Sequence, residues 1–163
     1  MYKNITKTII LTLFFSIVAN ANGDININNK LSLAKQENKH LIFFFHIPHC
    51  PYCKRMLEKN FQNEEILSEV KNNFILIDLY TANKNMIKLN SFKGTIKEFA
   101  KHIGAIAYPA TVFMNNSGKV VHKAIGYRNT DEHIAEISYI SSKSYKNKSL
   151  EDYIQEWEFN KDD

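Results

Sequence analysis

The stretch His46-Ile47-Pro48-His49-Cys50-Pro51-Tyr52-Cys53 holds the chain's only two cysteines, two residues apart, with two imidazoles just ahead of them. Thiols at this spacing can close a disulfide and reopen it, and they can also share a metal ion with nearby histidines. Three chemistries therefore stay open. The first is a redox couple of Cys50 and Cys53, the second a zinc or copper(I) site built from His46, His49, Cys50 and Cys53, and the third a structural bridge. As a staple the bridge is weak, because closing a loop over two intervening residues removes little chain entropy. A covalent c-type haem is set aside, since Lys54 stands where Cys-x-x-Cys-His needs its histidine.

The surrounding pattern says what would position these side chains. "HLIFFFH", residues 40–46, is a short apolar and aromatic run of the kind that makes a buried strand, and the cysteines follow it directly. Before it, "NNKLSLAKQENK" has helical spacing at Leu31, Leu33 and Ala34. After it, the chain from Pro51 through "YCKRMLEKNF" and then "NEEILSEVKNN" reads as helix, and "FILIDLY" as a second buried strand. The polar stretch 81–94 suggests a small hairpin. Thr95 with Glu98 three residues on is a capping box opening "TIKEFAKHIG", which Gly104 is placed to end. Two alternating runs around Asn115-Asn116-Ser117-Gly118 predict antiparallel strands, and "TDEHIAEISYISSK" and "SLEDYIQEWEF" predict two further helices, the last with Ser149 and Asp152 at its start. No internal repeat and no Gly-rich phosphate loop interrupts this order.

A chain of 163 residues makes one ordinary domain. Lys3 and Lys7, the apolar run "TIILTLFFSIV" and Ala19-Asn20-Ala21 have the makeup of a cleavable secretory signal over residues 1–21, leaving 22–163 as the mature domain; an uncleaved anchor is the weaker alternative, since the run is short for a span. Removing that segment takes away two lysines and no acid, so the formal charge falls from +4 to +2. With basic and acidic residues interspersed, nothing favours nucleic acid or an acidic membrane surface. Export to the periplasm changes the meaning of the cysteines, because paired thiols in an oxidising compartment tend to close.

The order helix-strand-helix-strand-helix-strand-strand-helix, with Cys-x-x-Cys between the first strand and the next helix, resembles the thioredoxin family. The resemblance runs from about Asn29 to Tyr139 and is carried by the strand Leu41 to His46, the motif Cys50-Pro51-Tyr52-Cys53, and Tyr108-Pro109-Ala110-Thr111 in place of the cis-proline loop, with Gly126 after the last strand. It implies an α/β thioredoxin-like fold: a central mixed sheet flanked by helices, a small insert before the helix that leads to the cis-proline, and an extra C-terminal helix. The segments "KNMIKLNSFKG", "YPATVF" and "SYKNKSLEDYIQE" are similar to exported thioredoxins of bacterial sulfur oxidation and cytochrome maturation.

What the resemblance implies is thiol–disulfide exchange. Cys50, at a helix start, would meet unpaired N–H groups and the positive end of the macrodipole, which favour a thiolate. It would attack a substrate disulfide, and Cys53 would resolve the mixed disulfide. Pro51 suits the first helical turn. With Tyr52, and with Tyr108 and a cis Pro109, it would form the surface that receives an extended substrate. His49 stands where thioredoxins usually carry an aromatic residue, and is either a tuner of the thiolate or an exposed loop histidine. His46 is read as packing or capping, and His40, His102, His122 and His133 as surface or helix residues.

One departure stands out: the buried aspartate that the family places six residues before the first cysteine is Phe44 here, with Asp78 in the second strand as a candidate substitute. The stretch from Lys54 to Tyr108 leaves little room for the large helical insertion of exported oxidases, and the short segment after Ala21 has none for an isomerase's dimerisation domain. The expectation is a monomeric reductase of protein disulfides, supplied with electrons by a membrane thiol carrier, with no cofactor beyond its own disulfide and no metal. A disulfide oxidase and a metal-binding protein are the alternatives.

Overall fold

The structure, a computed structural model, describes residues 23–161. The expected leader, residues 1–21, lies outside them, and no described helix is long and apolar enough to cross a membrane. The elements are β1 (Ile25–Asn26), α1 (Ile27–Gln36), β2 (His40–His46), α2 (Pro51–Glu58), α3 (Glu64–Asn73), β3 (Phe74–Tyr80), β4 (Met86–Leu89), β5 (Phe92–Thr95), α4 (Ile96–Ile103), β6 (Ala110–Met114), β7 (Val120–Ile125), α5 (Thr130–Ser141) and α6 (Leu150–Lys161). The α/β thioredoxin-like architecture expected from the sequence is the one observed.

The central sheet runs β3-β2-β6-β7, with β2 parallel to β3 and antiparallel to β6. Its second strand is buried on both faces, which is why its sequence is a continuous run rather than an alternation. Leu41, Phe43 and Phe45 enter one core with Phe99 of α4 and Ala34 of α1. Ile42 and Phe44 enter the other with Met56, Ile66 and Ile137 from α2, α3 and α5. The stretch 81–94 yields the hairpin β4–β5, and β1 adds to it in parallel, Ile25 opposite Ile87. The capping box forms as expected: the Glu98 N–H donates to Thr95 Oγ1 at 3.2 Å and the Thr95 N–H to Glu98 Oε2 at 2.8 Å. Gly104 ends α4 at φ +85°, where a Cβ would lie 2.7 Å from Lys123 Nζ.

Two sequence expectations fail for physical reasons. The helix opening at Pro51 stops at Glu58, and Asn60–Gln62 form a 3-10 turn. Asn60 is fully buried and its amide donates to the carbonyls of Arg128 at 2.9 Å and Asn129 at 3.3 Å, pinning the turn to the start of α5. His40 is neither a surface nor a helix residue: it is buried on β2 with Nε2 3.1 Å from the Tyr145 hydroxyl, whereas His133 is the helix residue expected, on α5, but faces inward. His122 lies on β7 beside Glu136, and of these four histidines only His102 is exposed, on α4, as expected.

Burial pushes the His133 pKa down to about 4, with the Arg128 charge assisting and Glu136 opposing. The unfolded chain takes this proton near 6.5 and the folded one near 4, so the unfolded state holds more protons in between. Stability is therefore full above about pH 6.5 and falls as the pH drops toward 4, by about 3 kcal/mol at ~1.36 kcal/mol per pKa unit. His40, also lowered to about 4 by burial and by Lys143 and Lys146, adds a loss of the same sign. Urea unfolding at pH 7.5 and 4.5 measures the drop. In His133→Phe the drop should shrink markedly, and an unchanged drop would remove His133 as its source.

Candidate active site

Three loops meet at one end of the central sheet, and the strand register puts them there. Phe45 lies opposite Ala110 and Ala110 opposite Ile125, so the loop after His46, the residues just before Ala110 and those just after Ile125 are neighbours. The first carries His49 and Cys50, the second Tyr108 and Pro109, the third Gly126 and Tyr127.

Cys50 is the N-cap of α2, in extended conformation, and its Sγ accepts from the Cys53 N–H at 3.1 Å. The thiol sulfur thus occupies the place of a capping oxygen, at the positive end of the helix. Pro51 sits in the first turn, where no N–H is needed. Cys53 follows one turn later on the inner face, 2 % exposed, whereas Cys50 is half-buried. The two sulfurs are joined in a disulfide, with Cα atoms 5.2 Å apart.

The Tyr108–Pro109 bond is cis. The Pro109 carbonyl accepts from the Gly126 N–H at 2.8 Å, which ties the second loop to the third. Gly126 holds φ +93°, a region open to glycine at little cost. Around these loops lies an apolar rim: Tyr52 is 58 % exposed with its ring 5.4 Å from that of Tyr127, Ile106 is 81 % exposed, and Tyr108 rests half-buried on the first core. Burial raises the Tyr108 phenol above its ordinary pKa, so it stays a neutral hydrogen-bonding group.

The third loop is held from beneath by residues that sequence reasoning missed. Arg128 Nη1 donates to the carbonyls of Tyr127 at 3.2 Å and Ile125 at 3.3 Å, while its Nε donates to Glu136 Oε1 at 2.7 Å. Burial works to raise the Glu136 pKa, but the His122 and Arg128 side chains outweigh it and hold the carboxyl below the ordinary glutamate range. The available signal was a lone acid, Glu136, on the apolar face of "IAEISYI".

His49 stands beside Cys50, exposed, at φ +55°. His46 is sandwiched by Phe44 and Tyr80, with centroids 5.6 and 4.8 Å away, and its Nε2 lies 2.7 Å from Asp78 Oδ1, in a contact too bent to count as a hydrogen bond. Asp78 is not a buried carboxylate beneath the sulfurs. It lies opposite Phe44 in the sheet with its side chain 59 % exposed, and the space under α2 is filled by Phe44 and Phe61, 4.8 Å apart. Among the described residues no group of three or more His, Cys, Asp and Glu side chains is arranged to hold a metal ion, so His46, His49, Cys50 and Cys53 are not gathered into a ligand set.

Residues 27–141 match the family model of the thioredoxin-like domain. The chain belongs to that family. Among solved structures, a thioredoxin-fold protein from Helicobacter pylori is similar over 84 % of this chain and 89 % of its own, with 18 % identity and a TM-score of 0.65. A thioredoxin from Thermus thermophilus aligns over 71 % of this chain and 84 % of its own, at 18 % identity and TM-score 0.55. A disulphide isomerase from Xylella fastidiosa Temecula1 aligns over 71 % and 88 %, at 20 % identity and TM-score 0.52. No curated protein matches the chain. A thioredoxin-like domain whose Cys50–Cys53 couple opens a helix is a thiol–disulfide oxidoreductase.

Proposed function

We propose that this thioredoxin-like protein is an exported, periplasmic reductase of protein disulfides, monomeric, with the Cys50–Cys53 couple as its redox group and no metal or other cofactor. The observation that carries the reading is the cap itself. A half-buried Cys50 sulfur receives a backbone N–H at the positive end of α2, with Cys53 buried directly behind it. In the reduced protein that N–H and the dipole favour the Cys50 thiolate. Tyr52, Tyr108, Pro51 and Pro109 then form the rim that takes an extended segment of the substrate, and His49 adds a donor or a positive charge beside the thiolate. In support of the reducing direction, the path from α2 to Pro109 passes through α3, β3, the β4–β5 hairpin and α4 and has little room for the large helical insertion of exported oxidases. Electrons reach such a reductase from a membrane thiol carrier.

Equilibration with dithiothreitol and glutathione, read by mass after alkylation, tests the direction. A potential between the values of about −120 mV for a strong oxidant and about −270 mV for thioredoxin is expected, nearer the reducing limit. A value near about −120 mV, with the protein recovered oxidised from cells and active in oxidising thiols, would replace the reductase by an oxidase.

A further inference from the structure

On the β3 side of α2 a cleft of about 460 Å³ runs beside the disulfide, and His46, Cys50, Cys53, Leu57 and Tyr80 line it. We propose that His46, backed by Asp78, is the proton acceptor for Cys53 when the mixed disulfide is resolved, and the proton donor in the reverse step. The proposal rests on the thiol-exchange function above.

The need for such a group comes from burial. Cys53 is shut away from water, an environment that favours the neutral thiol, yet only its thiolate attacks. Phe44, which fills the space under α2 from β2, has no proton chemistry. Across the second core Glu136 is committed to Arg128. Within the cleft, Lys54 offers an ammonium without a lone pair and stands 3.6 Å from Glu58 on the solvent side, and His49 is exposed in its loop. Tyr80 stacks its ring on His46.

His46 is different in kind. Its ring is fixed by Phe44 and Tyr80, its Nε2 is closed to solvent, and Asp78 from β3 stands at that nitrogen. With the Asp78 carboxylate 2.7 Å from Nε2, attraction between the two favours a proton on that nitrogen, and Nδ1 is then the nitrogen free to take one. The charged and titratable groups around the ring are Asp78 at Nε2 and Tyr80 stacked on it, both from β3, with His49 and Cys50 from the loop and Cys53, Lys54 and Glu58 from α2 lining the same cleft.

The step balances without any other reactant. The Cys53 thiol gives its proton to the imidazole, directly or through one water in the cleft. Its sulfur attacks Cys50 Sγ, the Cys50–Cys53 bond forms, and the bond from Cys50 to the substrate sulfur breaks. The substrate leaves as a thiolate and takes the proton from the imidazolium. The two electrons that reduce the substrate come from the two protein thiols.

The test follows single turnovers of the reduced protein against a model disulfide by rapid quench, separating formation of the mixed disulfide from its resolution. In His46→Phe, which keeps an aromatic ring in the stack, resolution near pH 7 should slow by about 100-fold, within the range for a positioned acid–base group, while formation changes less than about threefold. The pH profile of resolution should differ between the two: the wild-type rate should reach a plateau, and that of the variant should keep climbing with pH. Asp78→Asn alters an exposed side chain and should slow resolution about 10-fold, which tests the proposal even if His46→Phe fails to fold. Imidazole added to His46→Ala should restore part of the rate. Wild-type rates and pH profiles in both folded variants, or in Asp78→Asn alone if the other does not fold, would overturn the role of His46. A wild type that forms no mixed disulfide at all would overturn the function itself.

Discussion

Alanine at Cys50 is expected to bring the reduction of protein disulfides down to the uncatalysed background, whereas alanine at Cys53 should leave the first attack intact and arrest the second. The difference follows from where α2 puts the two sulfurs. Cys50 Sγ caps the helix and is half-open to the surface, so it alone can meet a disulfide from outside. Cys53 is on the inner face and can reach only Cys50. In cells, Cys53→Ala should therefore accumulate mixed disulfides through Cys50 that dissolve on adding reductant, and Cys50→Ala should accumulate none. Alkylation of the reduced wild type near pH 6 should label Cys50 first, because the capped sulfur holds the larger thiolate fraction. Faster labelling of Cys53, or adducts that persist without Cys50, would reverse these roles.

Much of that site is written locally. The apolar run of β2 is read over seven residues, and Pro51 at a first turn, Thr95 with Glu98, and Gly104 over four or fewer; each appears where expected. The Tyr108–Pro109 loop followed from the family resemblance rather than from any local rule, and the structure has it cis. What failed was set by partners distant in sequence. Asn60 looks like one more helical residue until Arg128 and Asn129, 68 and 69 positions away, take its amide. His133 stands on the apolar side of α5 with Ile137 and Ile140, but its polar partner, Asn60 with Nδ2 3.3 Å from its Nδ1, comes from 73 positions away. The two-residue β1 has no periodicity to read and exists by pairing with β4.

The same distinction explains Asp78. In the sequence it is a candidate for the role that Phe44 cannot fill. Parallel pairing of β2 and β3 sets Asp78 opposite Phe44, but on an edge strand whose acid faces solvent, so it comes to His46 and not to the sulfurs. Sequence identifies the missing carboxylate, and only the register shows what stands in its place.

Phe44→Ala is therefore expected to destabilise the fold by about 3–5 kcal/mol, the range for truncating a buried phenylalanine, lowering the melting temperature by roughly 10 °C. Phe44 is 1 % exposed, packs edge-on to Phe61 at 4.8 Å and stacks on His46, so its loss opens a cavity directly under α2. Phe44→Asp, which installs the family's usual residue, should be worse. It loses the same packing and adds a buried carboxylate in a pocket made for aromatic rings. Desolvation would raise that carboxyl's pKa above its unfolded value, so the folded state would hold the proton more tightly. The deficit of Phe44→Asp relative to Phe44→Ala should then be small at pH 4.5 and grow as the pH rises toward 8. Urea midpoints of the two variants across that range measure it. Equal stability at pH 8 would mean that the acid finds a partner or water beneath α2, and that the aromatic filling is not what keeps a carboxylate out of this site.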